Sequence, residues 1–342
     1  MMPEEFYENI KALLVRAGFS GFFDMQQMEG GGNNRIFRID VNGSRLCLKA
    51  YFQDPDDSRD RLSTEFFFTS FLWQEGCRVV PEPFIFDDSH FLALYEFIEG
   101  GKVAPHGVNR NYYNQALAFF LYLNGLKEKE AAQALPTASE ACFSINEHIL
   151  CVDRRMKRLQ EITGDDDITS EAMHFIQREL SPAWVSIKNA CIKEAEASGL
   201  NPDHCIVPED RCLSPSDFGF HNAIVAREGA LRFIDFEYAG WDDPAKLVCD
   251  FFCQPAMPVP LQFFSPFQEA VANLSTDPAR FKQRVQLLFP LYQLKWCCII
   301  LNDFLPGGNK RRTFATKTED KERRSSQLGK ARSYFSHFFN NV

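Results

Sequence analysis

Phe6, Ile10, Leu13, Leu14 and Ala17 recur three and four residues apart and Gly18 follows as a stop, so the pattern predicts a first helix over 3–17. The period then changes. Phe37, Ile39 and Val41 alternate with Arg38 and Asp40, Asn42-Gly43 supplies the positive φ of a tight turn, and Leu46, Leu48 and Ala50 alternate again, which predicts two antiparallel strands. A helix over 58–75, ended by Gly76, and a second hairpin over 85–97 around Asp87-Asp88-Ser89 complete an opening region that is mainly antiparallel sheet. Beyond Gly100-Gly101 helical spacing dominates, over 112–126, 144–162, 170–198, 260–273, 281–303 and 319–339. One short hairpin interrupts these helices, with 223–225 and 231–234 flanking Glu228-Gly229. No internal repeat or low-complexity linker is visible. The expected architecture is α+β, with a β-rich lobe over 1–99, a hinge near 97–101 and a mainly helical lobe over 100–342.

A chain of 342 residues exceeds the usual single core, which agrees with two lobes, and its 34 Phe predict a core built on aromatic burial. The balance of 37 basic against 46 acidic residues disfavours a general grip on nucleic acid. From Lys310 onward nine basic residues face three acidic ones, a local excess expected on a solvated helix. Eleven cysteines without CxxC spacing point to reduced thiols, not to a disulfide framework or a zinc knuckle, and so to the cytoplasm. Glu4 and Glu5 open the chain without a signal pattern, and no apolar run approaches the ~20 residues of a membrane span, so no membrane partner is expected.

The strongest chemical constellation is Ser214-Pro215-Ser216-Asp217-Phe218-Gly219-Phe220-His221-Asn222, followed by the hairpin and by Ile234-Asp235-Phe236-Glu237. Asp217 and Asn222 stand five residues apart, the spacing of a phosphoryl-transfer loop in which the Asp takes the acceptor proton and the Asn holds Mg²⁺. Asp235 arrives thirteen residues later at the end of a strand, where a main metal ligand is needed to neutralise a triphosphate. Asp217-Phe218-Gly219 spells the protein-kinase metal motif but occupies the loop slot, and Asp235 fills the metal slot by position. In the first lobe, Gly30-Gly31-Gly32-Asn33-Asn34 lies between the first helix and the hairpin, where backbone N–H groups could close over phosphates. Lys49 on the second strand and Glu65 in mid-helix are placed to pair as a strand Lys pairs with a helix Glu in kinases. A structural glycine turn and two unrelated surface charges are the plainer alternatives.

Residues 214–254 resemble the aminoglycoside phosphotransferases, choline kinases and their relatives, which carry a loop of the form HGDxxxxN, a hairpin and a VIDFEYAGWGDP-like stretch. This chain reads Phe233-Ile234-Asp235-Phe236-Glu237-Tyr238-Ala239-Gly240-Trp241-Asp242-Asp243-Pro244, and its N-terminal half follows more loosely in the same order. The resemblance implies a bilobal protein-kinase-like fold, ATP or GTP with Mg²⁺ as cofactors, and a small molecule bearing a hydroxyl as acceptor. It further implies that Lys49 meets the α- and β-phosphates, that Glu65 orients it, and that the Glu96 carbonyl and Ile98 N–H meet adenine in a hinge over 92–100. One departure is plain: Pro215 stands where the family has its loop His. That raises the rival reading of a nucleotide-binding pseudokinase, which the retention of Lys49, Glu65, Asp217, Asn222 and Asp235 opposes. His221 is not needed as a base, since Asp217 supplies that role. Asp242 and Asp243 are expected to cap or turn the chain into the next helix, and Arg311 and Arg312 to be solvated. The acidic helical lobe leans toward a cationic acceptor.

Overall fold

The computed structural model describes residues 4–28, 33–55, 57–305, 314 and 320–339. Helix α1 (Glu4–Arg16) buries Ile10, Leu13 and Leu14 in a cluster with Phe37, Ile39, Leu46 and Leu48 of the first sheet. That sheet has five antiparallel strands in the order β1-β2-β3-β5-β4: β1 (Phe23–Met28), β2 (Arg35–Val41), β3 (Ser44–Ala50), β4 (Pro83–Asp87) and β5 (Leu92–Glu96). In β2 the expected alternation holds, with Phe37, Ile39 and Val41 buried and Arg38 and Asp40 half-buried. The turn to β3 places Asn42 at φ +48 and Gly43 at φ +77. Strand β1 has no counterpart among the sequence expectations, because after Phe23 and Met25 the polar Gln26 and Gln27 break the alternation on an edge strand. Between β3 and β4 runs α2 (Arg61–Gln74), whose start is fixed by Asp60 accepting the Ser63 N–H at 3.0 Å.

Strand β6 (Gly100–Lys102) leaves this sheet and pairs with the later hairpin, so the connection between the two regions is itself hydrogen-bonded. Only glycine fits at position 100, because a Cβ there would lie 2.2 Å from the Val225 carbonyl oxygen. The chain then turns helical through α3 (Arg110–Gly125), α4 (Glu130–Gln133) and α5 (Ile145–Gln160), the last opened by a Ser144–Glu147 capping box. The helix expected over 170–198 is one unbroken helical run, α6 (Asp167–Phe175) continuing into α7 (Ser181–Ala197) through a π-helical turn at Ile176–Leu180. Pro182 has no N–H to give to the preceding turn, and a wider turn accommodates the missing bond.

Strands β7 (Cys212–Ser214), β8 (Ala223–Ala226), β9 (Leu231–Phe233) and β10 (Gly240–Asp242) form two small sheets, β7 pairing with β10 and β8 lying between β6 and β9. Helix α8 (Pro244–Cys253) was not legible by period, because every one of its residues is buried and it has no solvent face to create one. Helices α9 (Phe264–Ala272), α10 (Pro278–Ile300) and α11 (Asp320–Phe339) complete the fold. By length and hydropathy α10 could cross a membrane, but it is the central core helix, burying Val285, Leu288, Leu291 and Leu294 among its neighbours. The basic α11 is less solvated than expected. Arg323 pairs with Asp303 at 3.1 Å, Arg324 with Asp166 at 3.1 Å and Arg332 with Glu171 at 3.0 Å, while Leu328, Ala331 and Phe335 are buried. The aromatic core is as expected: Phe119 stacks on Phe233 with centroids 4.6 Å apart, and Phe218 stacks on Phe251 at 5.1 Å.

Candidate active site

Ser214 at the end of β7 lies opposite Gly240 at the start of β10, so one strand pair brings the loop over 215–222 beside the segment that carries Asp235. The loop turns at Pro215 and Ser216, with Ser216 at φ +66 and its N–H held by the Ser214 hydroxyl at 3.0 Å. Asn222 closes it: its Nδ2 donates to the Asp217 carbonyl at 2.9 Å, its N–H donates to the Gly219 carbonyl, and its own carbonyl accepts the Ile234 N–H at 3.0 Å. Phe218 and Phe220 are buried and pin the loop to the core. These bonds hold the loop at the Pro215 turn.

His221 was not assigned to the site by sequence reasoning, yet its Nε2 lies 3.1 Å from Asp217 Oδ1. Burial opposes charge on Asp217, but His221 and the Asn222 bond outweigh it and hold the carboxyl below the ordinary range. The same contact raises the His221 pKa against the effect of burial. The place of the ring depends on Gly219, where a Cβ would lie 2.6 Å from His221 Nδ1. The four-residue spacing of His221 from Asp217 was the available sign.

Lys49 leaves β3 to meet Glu65 of α2, Nζ to Oε2 at 2.5 Å, and also donates to Asp235 Oδ1. The expected strand–helix pair is therefore present and buried, and Tyr51 donates its hydroxyl to the same Glu65 oxygen at 2.7 Å. Burial disfavours the ammonium, but Asp235, Glu65 and Glu237 together raise the Lys49 pKa well above its usual value. Burial pushes the Glu65 carboxyl up to about 7, with Lys49 pulling the other way. Burial likewise raises Asp235, opposed by Lys49 and reinforced by Glu237 and Asp217. Asp235 sits at φ +71, a left-handed conformation that costs a non-glycine residue about 1 kcal/mol or more and concentrates at functional sites.

Glu237, two residues further on, was missed. Oxygens of Glu65, Asp235 and Glu237 lie within 4.8 Å of one another. Asn33 is turned toward this group and donates to Glu237 Oε1 at 2.9 Å. Gly30, Gly31 and Gly32, expected beside it over phosphates, lie outside the described residues, as do Arg311 and Arg312.

Lys49, Asp217, Asn222 and Asp235 all face one cleft of about 1950 Å³, bordered by Tyr95, Glu96 and Ile98 on the sheet side. One oxygen of the Glu96 carboxylate, Oε2, is turned away from the expected hinge contact, accepting from Arg232 at 2.6 Å and from the Glu82 N–H at 3.2 Å. The cleft continues past Asp217 to a far end lined by Phe252, Trp296, Tyr334 and Phe338. There Asp250 accepts Lys295 Nζ at 2.9 Å on both oxygens and Trp296 Nε1 at 2.9 Å, Asp242 pairs with Lys246, and Glu140 pairs with Arg155. Each of these carboxylates is matched by a cation, so charge at this end does not by itself select a cationic acceptor. Asp243 caps α8 as expected, accepting the Ala245 N–H at 2.8 Å, and also meets His148 Nε2 at 3.0 Å.

No protein-family model and no curated protein matches the sequence. Solved structures do match. A spectinomycin phosphotransferase in complex with ADP and spectinomycin superimposes with a TM-score of 0.61 at 15% identity, covering 97% of this chain and 94% of its own. A choline/ethanolamine kinase family protein from Mesorhizobium loti gives 0.59 at 16% identity over 98% and 95% of the two chains. An ethanolamine kinase from Plasmodium vivax gives 0.57 at 13% identity over 98% and 91%. At these identities the likeness is one of fold, and it spans nearly the whole chain: an antiparallel N-terminal sheet followed by a mainly helical region, as in aminoglycoside phosphotransferases and choline/ethanolamine kinases.

Proposed function

We propose that a chain with this fold and this cleft transfers the γ-phosphate of ATP to a hydroxyl group of a small molecule. The observation that carries the reading is the convergence of Lys49, Asp217, Asn222 and Asp235 on one cleft from three separate stretches of sequence. The donor set fits magnesium. A carboxylate at Asp235 and the amide oxygen of Asn222, whose nitrogen is already committed to Asp217, are hard oxygen ligands, and three carboxylates around one lysine leave a negative surplus. Bound magnesium triphosphate would supply the phosphoryl group and neutralise its developing charge. The buried ammonium of Lys49, ionised by its carboxylate neighbours, is placed to hold phosphate oxygens, and Glu65 keeps it in position. Asp217 is the residue to orient the acceptor hydroxyl and take its proton, since its carboxyl stays ionised and lines the cleft. The aromatic far end of the cleft is where the acceptor would lie. A nucleotide-binding protein without transfer is the second reading, and what favoured it, Pro215, is offset by the bonds that hold the loop.

The direct test is ADP release from Mg-ATP with a panel of hydroxylated small molecules that includes choline, ethanolamine and spectinomycin. Acceptor-dependent ADP release with a phosphorylated product supports transfer, and Mg-ATP binding without transfer to any member favours the second reading. His221 then becomes a positioning residue. Gly219→Ala should displace the ring and loosen Asp217, lowering kcat by about 10- to 100-fold with little change in the KM for ATP. Steady-state kinetics check this, and an unchanged kcat would show that His221 does not position Asp217.

A further inference from the structure

In the carboxylate cluster around Lys49, Glu237 is the member to which the chemistry above gives no role of its own. Its position two residues after Asp235, and its oxygens near those of Glu65 and Asp235, invite assignment as another metal ligand. Its bonds run elsewhere. Oε1 accepts Asn33 Nδ2 at 2.9 Å and Oε2 accepts Asn34 Nδ2 at 2.6 Å, so both oxygens are engaged, and Glu237 is only 3% exposed. Asn34 is equally buried, and its orientation is settled by its other end, where Oδ1 accepts the Phe52 N–H at 3.0 Å. The two asparagines end the connection from β1 to β2, and Phe52 follows β3, the strand of Lys49. One carboxylate from the second region thus ties down both ends of the β2–β3 hairpin. Asn33 also reaches the Tyr238 hydroxyl at 3.3 Å, and the Arg59 guanidinium lies 5.3 Å from the centre of the Tyr238 ring, which widens the same junction.

We propose that Glu237 is a positioning residue and not a metal ligand: it clasps the asparagines that close the glycine-rich connection to the segment carrying Asp235, holding the nucleotide half of the cleft together before any nucleotide arrives. This rests on the nucleotide-binding reading for its purpose, though not for its geometry. Charge-assisted bonds from two amides to one buried carboxylate are stronger than neutral ones, and a partner left without them would be buried and unsatisfied. Burial works against the charge on Glu237, but Lys49, the two asparagine amides and Arg61 outweigh it and keep the carboxyl ionised. A glutamine at 237 would present one oxygen and one NH₂, so it could accept from one asparagine while facing the other with a second donor.

The test uses the full chain without nucleotide and then with ADP. Hydrogen exchange of the Phe52 amide is measured in wild type, Asn34→Ala, Glu237→Gln and the double variant, followed by calorimetry with ADP in the presence and absence of Mg²⁺. The clasp predicts faster Phe52 exchange in Glu237→Gln, ADP affinity weakened by about 10- to 100-fold whether or not Mg²⁺ is present, the same loss in Asn34→Ala, and no further loss in the double variant. A Glu237→Gln effect confined to Mg²⁺-containing titrations, with Phe52 exchange and Asn34→Ala binding as in wild type, would overturn it and make Glu237 a metal ligand. Should Glu237→Gln not fold, Asn33→Ala and Asn34→Ala decide alone: unchanged ADP binding in both overturns the clasp. Should wild type bind no ADP, the nucleotide reading fails separately, and the clasp is then upheld by faster Phe52 exchange in Glu237→Gln and overturned by unchanged exchange.

Discussion

Asp217→Asn is expected to lower turnover by about 10²- to 10⁴-fold, the effect of removing a general base, while ADP and Mg-ATP still bind as they do to wild type. The substitution keeps the shape of the side chain and leaves an oxygen for His221, so the loop bonds through Ser214, Asn222 and the Asp217 carbonyl survive. What goes is the only ionised group of the loop that can take the acceptor proton. Kinetics with an accepted alcohol, alongside calorimetry with the nucleotide, separate the two effects. Wild-type turnover in Asp217→Asn would mean that the catalytic loop has been misplaced.

Lys49→Ala should weaken nucleotide binding strongly and also destabilise the fold, because it removes the cation shared by Glu65 and Asp235 in a buried setting. Breaking a buried pair costs about 3–5 kcal/mol when the remaining charge has no outlet. Here there is one. The Glu65 carboxyl is already pushed up to about 7 by burial, and without Lys49, which lowers it, it rises further and takes up a proton instead. A carboxyl whose folded pKa lies above its unfolded one binds more protons in the folded state, so its stability contribution is complete below the unfolded value and is lost as pH rises through the folded one. The stability deficit of Lys49→Ala should therefore grow as pH rises above about 7, where Glu65 ionises in wild type but keeps its proton in the variant, and shrink on acidification below it. Thermal unfolding across that range measures it. A deficit that is largest at low pH would contradict a buried Glu65 held ionised by Lys49, and Glu65→Gln should harm nucleotide binding less than Lys49→Ala.

How much of this was legible depends on where each element meets water. The β2–β3 hairpin and the helices α1, α3 and α5 have one wet and one dry face, so their periods were written into the residues. Helix α8 has no wet face, β1 is an edge strand with polar residues at its centre, and β6, β7 and β10 are three residues long, so none of them leaves a period to find. Asp217, Asn222 and Asp235 were legible because a loop and a hairpin of fixed length set their spacing, whereas the pairing of Lys49 with Glu65 rested on analogy and is now seen as a 2.5 Å contact. His221 and Glu237 were missed for one reason. Their chemistry is defined by partners: His221 by an Asp whose loop must fold back on itself, and Glu237 by Asn33 and Asn34, about two hundred residues away in sequence. Spacing along a chain announces neighbours, not such meetings.

The reading of Asp235 as the carboxylate that holds the metal against the phosphates is best tested by titrating ATP into wild type and Asp235→Asn, with and without Mg²⁺. Wild type should bind ATP much more tightly when Mg²⁺ is present, because the bare triphosphate would meet the negative surplus that Asp235, Glu65 and Glu237 leave around Lys49, and Asp235→Asn should lose that Mg²⁺-dependent gain. Equal ATP affinity in wild type with and without Mg²⁺, or an undiminished Mg²⁺ gain in Asp235→Asn, would contradict a magnesium-dependent phosphoryl-transfer site built on this residue.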